Sequence, residues 1–337
     1  MVVKKMKKAY IYINYHNIVV LKMYLDIVKQ SLENMGYDCS YIKTLEGVNK
    51  KDLVVFSVGT DVFKYYIKGY HNIIMWQQGV TGEESYLRNH SSARRKVLNF
   101  LDCYSMKRSK YIFFVSDALR SYYEKILNQS LADKSYIMPC FNETIDRSCL
   151  EHKDYDKKKF AYVGSLSVWQ CFDETIELYK KIEQRFEDTE LLVLTFEVEK
   201  ALECLKKSGV KKYKVKSVPQ EQVKEELADV SYGFILRKNI IVNQVATPTK
   251  ISSYLAAGVL PIFSACLHDF CKVSKELNIG IAVDNDNNSE VDKIIEYVDL
   301  SKDKKTIIED IETVFETYYS IDYHSKKITD ELKRKLK

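Results

Sequence analysis

The chain has 337 residues, a length that favours two domains at roughly 100–200 residues each. Hydrophobic residues make up 46% and charged residues 29%, and the scarcity of Gly (11) and Pro (4) excludes long low-complexity tracts. The apolar run near the N-terminus is too short for a signal peptide or a spanning helix, and no window of about 18 apolar residues occurs. We therefore predict a cytoplasmic protein.

Charge is divided unevenly between the two halves of the chain. Residues 1–150 hold 22 Lys and Arg against 14 Asp and Glu, whereas residues 151–337 hold 30 against 33. The basic first half suggests an anionic partner, such as a phosphate or the inner face of an anionic membrane, with ordinary surface variation as the alternative. Nucleic acid is the weaker candidate because no recognised binding motif is present.

The eight cysteines show no spacing typical of a metal site. No two of them form CxxC, and no paired Cys/His cluster of the zinc type occurs. The acidic triplet Asp284-Asn285-Asp286 fails the calcium-loop pattern because Ser289 stands where that pattern needs Gly. We expect reduced cysteines and no bound metal.

In the first half, short apolar runs alternate with segments of helical periodicity. The run AYIYIN is predicted to be a strand, and residues 17–35 are predicted to form an amphipathic helix that ends at Gly36, a good C-cap. Asp117 directly follows an apolar run and is expected to cap the next helix. The other predicted strands of this half are DCSYIK, DLVVFSV, NIIMW, YIFFVS and SYIMP.

The second half repeats this rhythm after EHKDYDKKK at residues 151–159, a polar stretch that is the best linker candidate. Its predicted strands are KFAYVG, ELLVLTF, YKVKSV, VSYGFILR, VLPIF and IGIAV. Alternating strands and helices indicate parallel sheets, and two such series indicate two Rossmann-like domains. We place an N-terminal domain at residues 1–152, a C-terminal domain at 158–320 and a final helix at 321–337.

Two features of the second half lie just beyond strands, where parallel sheets bind ligands. Gly164 and Ser165 follow the strand FAYV, and a helix expected to start near Ser167 would offer free N–H groups to a phosphate. Arg237 ends a strand of buried residues, where a guanidinium suits a phosphate or a carboxylate. The alternatives are a capped strand-to-helix turn for the first feature and a solvated strand end for the second.

The segment NQVATPTKISSYLAAG adds a helix N-terminus to this candidate phosphate site. Thr247 or Thr249 is expected to cap a helix that begins around Pro248, since Pro suits a first helical turn. Lys250 then lies in that first turn, where the helix dipole disfavours a cation unless an anion is bound. The position of this lysine therefore favours a bound phosphate.

Three features of the first half have both a functional and a structural interpretation. In the loop QQGVTGEES, Glu83 is a candidate acid or base, or it forms with Glu84 the acidic first turn of a helix. His16 could be a general base oriented by Asp117, or an ordinary loop residue. The basic segment 88–110, with interleaved apolar residues, could lie on an anionic membrane or form a solvated helix face.

Part of the second half resembles a known family. The stretches YVGSLSVWQ, VPQEQVKEELADVSYGFILRKN and VNQVATPTKISSYLAAGVLPIF are similar, in order and spacing, to the GT4-type family of retaining GT-B glycosyltransferases that build bacterial cell-surface polysaccharides. WQQGVTGEES and FVSDALRSYYEKI resemble the N-terminal domain of the same family more weakly. The resemblance implies an α/β fold of the GT-B type, with two Rossmann-like domains facing a cleft.

The resemblance also implies a hexosyl transfer from a nucleotide-diphosphate sugar, a co-substrate, to a saccharide or polyprenyl-linked acceptor, without cofactor or metal. Gly164 and Ser165 would face the donor diphosphate, and Arg237 and Lys250 would neutralise its charge. The remaining implied contacts are Val218 and Pro219 near the base, Thr247, Pro248 and Thr249 along the phosphate or ribose, and Gly79 from the other domain.

One departure from the family's pattern bears on activity. Such enzymes often carry two Glu residues eight apart, and this chain has Val245 and Ser253 at those positions. Either a hydroxyl replaces the ribose-binding carboxylate, or donor specificity differs, or the chain is a degenerate member with weakened activity. The same departure motivates an alternative function, a non-catalytic nucleotide-sugar-binding subunit. A sugar-nucleotide epimerase of the same fold is a further alternative.

Overall fold

The computed structural model describes residues 6–13, 18–145, 147–284 and 290–336. The chain divides into two compact units, the first formed by Met1–Cys140 with Ser320–Lys337 and the second by Phe141–Tyr319. Residues 141–152, which the sequence analysis assigned to the first domain, therefore belong to the second unit. The final helix, which it set apart, belongs to the first unit.

The first unit is built on a six-stranded sheet in the order β2-β1-β3-β4-β5-β6, and every described strand pair is parallel. All residues of β3, β4 and β5 are buried, as expected for parallel strands covered on both faces. The strands are β1 (Lys7–Tyr12), β2 (Tyr37–Ile42), β3 (Leu53–Phe56), β4 (Ile73–Gln77), β5 (Tyr111–Phe114) and β6 (Ser135–Ile137).

Six helices cover this sheet within the described residues. The last of them packs against the first and buries Ile328 and Leu332, which explains why the end of the chain joins this unit. The helices are α1 (Ile18–Glu33), α2 (Gly59–Tyr66), α3 (Thr81–Asn89), α4 (Ser92–Arg108), α5 (Asp117–Leu127) and, at the end of the chain, α15 (Ile321–Lys335).

The second unit has its own six-stranded parallel sheet, in the order β12-β11-β10-β7-β8-β9. Tyr162, Tyr232, Phe160 and Phe234 fill its centre and are almost completely buried. The strands are β7 (Lys158–Val163), β8 (Thr189–Leu194), β9 (Tyr213–Lys216), β10 (Tyr232–Ile235), β11 (Leu260–Ser264) and β12 (Ile281–Val283).

The helices of the second unit alternate with these strands, and its described part contains nine of them. They are α6 (Arg147–Glu151), α7 (Phe172–Arg185), α8 (Val198–Ser208), α9 (Val223–Glu226), α10 (Ile241–Gln244), α11 (Thr249–Ala256), α12 (His268–Ser274), α13 (Glu290–Asp299) and α14 (Lys304–Glu316). In neither unit is any described helix long and apolar enough to cross a membrane.

The starts of α5 and α7 differ from the sequence prediction. Ser116, and not Asp117, caps α5, because its Oγ accepts the Leu119 N–H at 2.9 Å, whereas Asp117 pairs with Arg120 inside the first turn. The helix expected near Ser167 begins only at Phe172, since a short 3₁₀ turn, Val168–Gln170, comes first. The second difference shapes the candidate site.

Candidate functional site

The sheet of the second unit changes direction between β7 and β10. From β7 the strand order runs through β8 to β9 on one side and through β10 and β11 to β12 on the other. Open parallel sheets bind ligands at this switch point, beyond the carboxyl ends of the strands. Gly164 directly follows β7 and Arg237 lies two residues beyond β10, so two predicted site residues stand at the expected place.

Gly164 makes room for the Lys250 side chain. Its backbone has φ +134°, a conformation that favours glycine, and an added Cβ would lie 2.6 Å from Lys250 Cε and closer still to Nζ. The ammonium also lies 5.4 Å from the centre of the Tyr162 ring. The structure therefore brings Gly164 and Lys250 together, although 86 residues separate them in the sequence.

Arg237 adds a second cation to the same place. Its side chain is 7% exposed, its Nη1 donates to the Leu236 carbonyl at 3.1 Å, and its N–H donates to Ser264 Oγ of β11 at 2.8 Å. Burial lowers the pKa of the Arg237 guanidinium below its ordinary value. The alternative interpretation, that Arg237 stands at a solvated strand end, is therefore wrong, because this arginine is buried.

The two cations influence one another. Burial lowers the pKa of the Lys250 ammonium well below its ordinary value, and the positive charge of Arg237 lowers it further. The hydrogen-bond acceptor of Lys250 is a neutral group, the Oε1 of Gln170. A buried arginine beside a half-buried lysine forms a site that an anion would stabilise, because the two side chains carry like charge.

The N-terminus of α11 opens onto Lys250. Pro248 is the N-cap residue and no side chain caps the helix, so the prediction that Thr247 or Thr249 does so is wrong. Thr247, Pro248 and Thr249 are all half-buried. A helix start without a side-chain cap has backbone N–H groups that can bind an anion, which is consistent with the predicted phosphate contact.

The 3₁₀ turn before α7 contributes a residue that the sequence analysis missed. Gln170 donates from Nε2 to Ser165 Oγ at 2.8 Å while its Oε1 accepts from Lys250. Ser165 Oγ also lies 3.0 Å from Ser167 Oγ. The only signal in the sequence that could have indicated Gln170 was its place as a polar residue in a short loop at the switch point. Sequence spacing does not show its contact with Lys250, which lies 80 residues away.

The other predicted residues of the second unit occupy varied positions. Val218, two residues beyond β9, is half-buried, and Pro219 is exposed and precedes a 3₁₀ turn, Gln220–Gln222. Val245 is buried, and Ser253 donates from Oγ to Asn142 Oδ1 at 3.0 Å. These contacts assign no ligand to Val218 or Pro219, whose proposed role at the base stays a prediction.

In the first unit, Gly79 lies in the loop after β4, held by a buried network. Its carbonyl accepts from Gln77 Nε2 at 2.6 Å, and Tyr123 donates to Asp102 Oδ2 at 2.8 Å beside it. Burial raises the pKa of the Asp102 carboxyl. The Gly79 Cβ position would meet the Glu84 carboxylate, so a larger residue would disturb this loop.

Glu83 has partners within the first unit. It lies in the first turn of α3, accepts from the Tyr122 hydroxyl at 3.2 Å and pairs with Arg95 Nε at 3.4 Å. This is the helix-start arrangement that the sequence analysis gave as the alternative to an acid or base. His16 and the triplet residues Asn285 and Asp286 lie outside the described residues, and the described part of the chain contains no group of side chains suited to hold a metal.

Comparison with solved structures shows which fold these two units represent. HepE of Anabaena, solved with UDP and glucose, matches 97% of this chain and 100% of its own at 10% identity and a TM-score of 0.67. The lipopolysaccharide outer core galactosyltransferase WaaB, in its apo form, matches 98% and 100% at 11% identity and a TM-score of 0.62. This chain has the GT-B fold.

A longer protein shares the GT-B fold with this chain. A mutant of TarM from S. aureus, in complex with fondaparinux, α-GlcNAc-glycerol and UDP, matches 86% of this chain at 12% identity and a TM-score of 0.60. The chain spans 57% of the length of that protein. No protein-family model matches the sequence, and no curated protein matches it either.

Proposed function

We propose that this chain is a nucleotide-sugar-dependent hexosyltransferase of the GT4 type, acting in the synthesis of a surface polysaccharide. The observation that carries the proposal is the pair of cations, Arg237 and Lys250, at the switch point of the second sheet. The fold shared with HepE, solved with UDP and glucose, and with the galactosyltransferase WaaB supports it. The acceptor is a saccharide or a lipid-linked saccharide, and the reaction is retaining and independent of metal.

The chemical role of the site follows from the charge of the leaving group. During transfer, the bond between the sugar C1 and the diphosphate oxygen breaks, and its electron pair remains on the nucleoside diphosphate. The acceptor hydroxyl oxygen bonds to C1, and its proton leaves with the diphosphate. Lys250, Arg237 and the N–H groups at the start of α11 stabilise the negative charge that develops.

Binding tests the site first. A thermal-shift screen with the UDP, GDP, CMP and dTDP sugars identifies the donor, because a ligand that binds the folded state raises apparent stability. Lys250→Ala should weaken binding of that donor about 10- to 100-fold, the range expected when a charged hydrogen bond is lost. Lys180→Ala is the control, since Lys180 donates at 2.7 Å to the Ser208 carbonyl of the same unit.

Turnover distinguishes the enzyme from two alternatives. Val245 and Ser253, in place of the two carboxylates, motivate a binding subunit that holds the donor but never releases nucleoside diphosphate with any acceptor. An epimerase would convert the donor without an acceptor. The transferase proposal is supported if nucleoside diphosphate is released only when donor and saccharide acceptor are both present. Donor binding without such release would contradict it.

The membrane contact foreseen for the basic segment 88–110 is a separate part of the proposal. On α4, Val97 and Phe100 are 57% and 62% exposed, and Lys96 and Lys107 are exposed beside them. Exposed apolar and basic side chains on one helix suit the surface of an anionic bilayer. The wild-type protein should sediment with phosphatidylglycerol vesicles and not with phosphatidylcholine vesicles, and Phe100→Ser should reduce the fraction that sediments. Equal sedimentation of the wild type and the variant would argue against the membrane contact.

A further inference from the structure

The carboxamide of Gln170 lies between Lys250 and Ser165, two residues that were predicted to contact the donor diphosphate. Its Oε1 accepts from Lys250, and its Nε2 donates to Ser165 Oγ at 2.8 Å. The same Oε1 lies 3.1 Å from the position of a Cβ at Gly164. One neutral side chain thus hydrogen-bonds to Lys250 and Ser165, two of the four residues predicted to face the diphosphate or neutralise its charge.

The residue that follows Gln170 holds a strained backbone. Cys171 has φ 51° and ψ 47°, the left-handed conformation that residues other than Gly, Asn and Asp seldom adopt. Its side chain is 1% exposed, so it anchors the turn to the core of the unit. Such conformations concentrate at active sites and at segments that switch position.

The turn itself has few contacts that would hold it. Val168 is 72% exposed and Trp169 is 43% exposed, although both are large and apolar. On its C-terminal side the chain enters α7 at Phe172, whose helix is rigidly packed through Ile176, Tyr179 and Ile182. The hydrogen bonds of Gln170 therefore contribute much of what keeps this turn over Lys250.

We propose that Gln170 holds the place of the donor phosphate before the donor binds, and that a bound diphosphate displaces its carboxamide and moves the turn Val168–Gln170. This inference rests on the proposed function. A phosphate oxygen carries negative charge, so it replaces the neutral Oε1 on Lys250 favourably. Ser165 Oγ, released by Nε2, then donates to the phosphate. Cys171 is the hinge about which the turn moves.

Trp169 reports the movement directly. The sequence contains two tryptophans, and the other, Trp76, is 1% exposed in β4 of the first unit. Inorganic pyrophosphate, and then UDP, should change the tryptophan emission of the wild type, and Trp169→Phe should abolish that change. Binding of either probe, measured by calorimetry, with no change in the emission of Trp169 would overturn the inference while leaving the proposed function intact.

Substitution of Gln170 separates a placeholder from a fixed phosphate ligand. Gln170→Ala removes the competing acceptor, so pyrophosphate should bind about fivefold more tightly, whereas a residue that contacts the bound phosphate would make binding weaker. Gln170→Glu places a carboxylate on Lys250 and should weaken binding about tenfold. Gln129→Ala, at an exposed position of the first unit, is the matched control and should leave affinity unchanged.

The outcomes are distinguishable. Tighter binding in Gln170→Ala together with the Trp169 signal supports the inference. Weaker binding in Gln170→Ala, in a variant that retains the wild-type unfolding temperature, overturns it and leaves the phosphate site in place. If neither pyrophosphate nor any nucleoside diphosphate binds the wild type, the proposed function fails, and the inference fails with it.

Discussion

A methyl group added at Gly164 should disable the donor site with little damage to the rest of the protein. In Gly164→Ala, the new Cβ would lie 2.6 Å from Lys250 Cε, whereas ordinary van der Waals contact begins near 3.4 Å. The lysine must therefore retreat by roughly 1 Å. A misplacement of about this size can reduce catalysis on the order of 10²-fold.

The same substitution also strains the backbone, and this second effect needs its own control. At φ +134° an alanine adds about 1–3 kcal/mol of strain. Gly209 has φ +78° and has no atom closer than 4.0 Å to its Cβ position, so Gly209→Ala carries backbone strain of the same kind without touching Lys250. Comparison of the two variants isolates the effect on the ammonium.

Calorimetry with the donor identified by the thermal-shift screen measures the first effect, and urea unfolding measures the second. We expect both variants to lose stability, but only Gly164→Ala to lose donor affinity and about 100-fold of turnover. If Gly164→Ala binds the donor as well as Gly209→Ala does, the placement of Lys250 against Gly164 has no part in donor binding, and the reasoning is refuted.

Three further predictions concern the surroundings of this site. Donor binding should take up a proton in mildly alkaline buffer, because burial and Arg237 hold the pKa of Lys250 low and the bound anion raises it. Donor affinity should therefore fall as pH rises. Calorimetry in buffers of different ionisation enthalpy measures the proton uptake, which Lys250→Met should remove. Gly233→Ala should lower the free energy of unfolding by about 1–3 kcal/mol, since its Cβ would lie 2.6 Å from ring atoms of the fully buried Tyr254; unchanged stability in urea would contradict this. Lys153→Met should lower the free energy of unfolding by about 2 kcal/mol, because the buried ammonium donates to the carbonyls of Leu227, Ala228 and Val230 at 2.8–3.0 Å. Lys157→Met, which removes an exposed surface ion pair, should change this free energy little.

Local pattern was sufficient to predict the elements of both sheets. A buried parallel strand appears in sequence as a short apolar run, and each run that was named overlaps a strand of the structure, from Lys7–Tyr12 to Ile281–Val283. Gly36, with φ +84°, lies just after the first helix as its sequence position suggested. These features depend on neighbouring residues only, which is why they could be predicted.

The division into units depends on contacts that local pattern does not contain. The polar stretch at residues 151–159 was interpreted as a linker, yet Lys153 is buried and Tyr155 donates to the Gly258 carbonyl at 3.0 Å. Polarity indicates solvent exposure only on average, because a lysine can be buried when backbone carbonyls accept hydrogen bonds from its ammonium group. The chain therefore enters the second unit at residue 141, before this stretch.

The candidate site shows the same limit at the level of single side chains. Arg237 and Lys250 were predictable because a strand end and a helix start are local features. Their closeness, and the neutral group between Lys250 and Ser165, follow from the strand order, which places β7 beside β10. Gln170 offered only the weak signal of a polar residue in a short loop, since its partner Lys250 lies 80 residues away.

The electrostatics of the candidate site give the remaining argument for a displaceable group there. Burial and the charge of Arg237 both lower the pKa of Lys250, and a permanent carboxylate beside Lys250 would relieve this. A permanent carboxylate would also repel a diphosphate and weaken its binding. The residue in contact with Lys250 is instead an amide, which satisfies the ammonium hydrogen bond without adding charge. A site that must keep its cations available for an anion is better served by such a neutral acceptor.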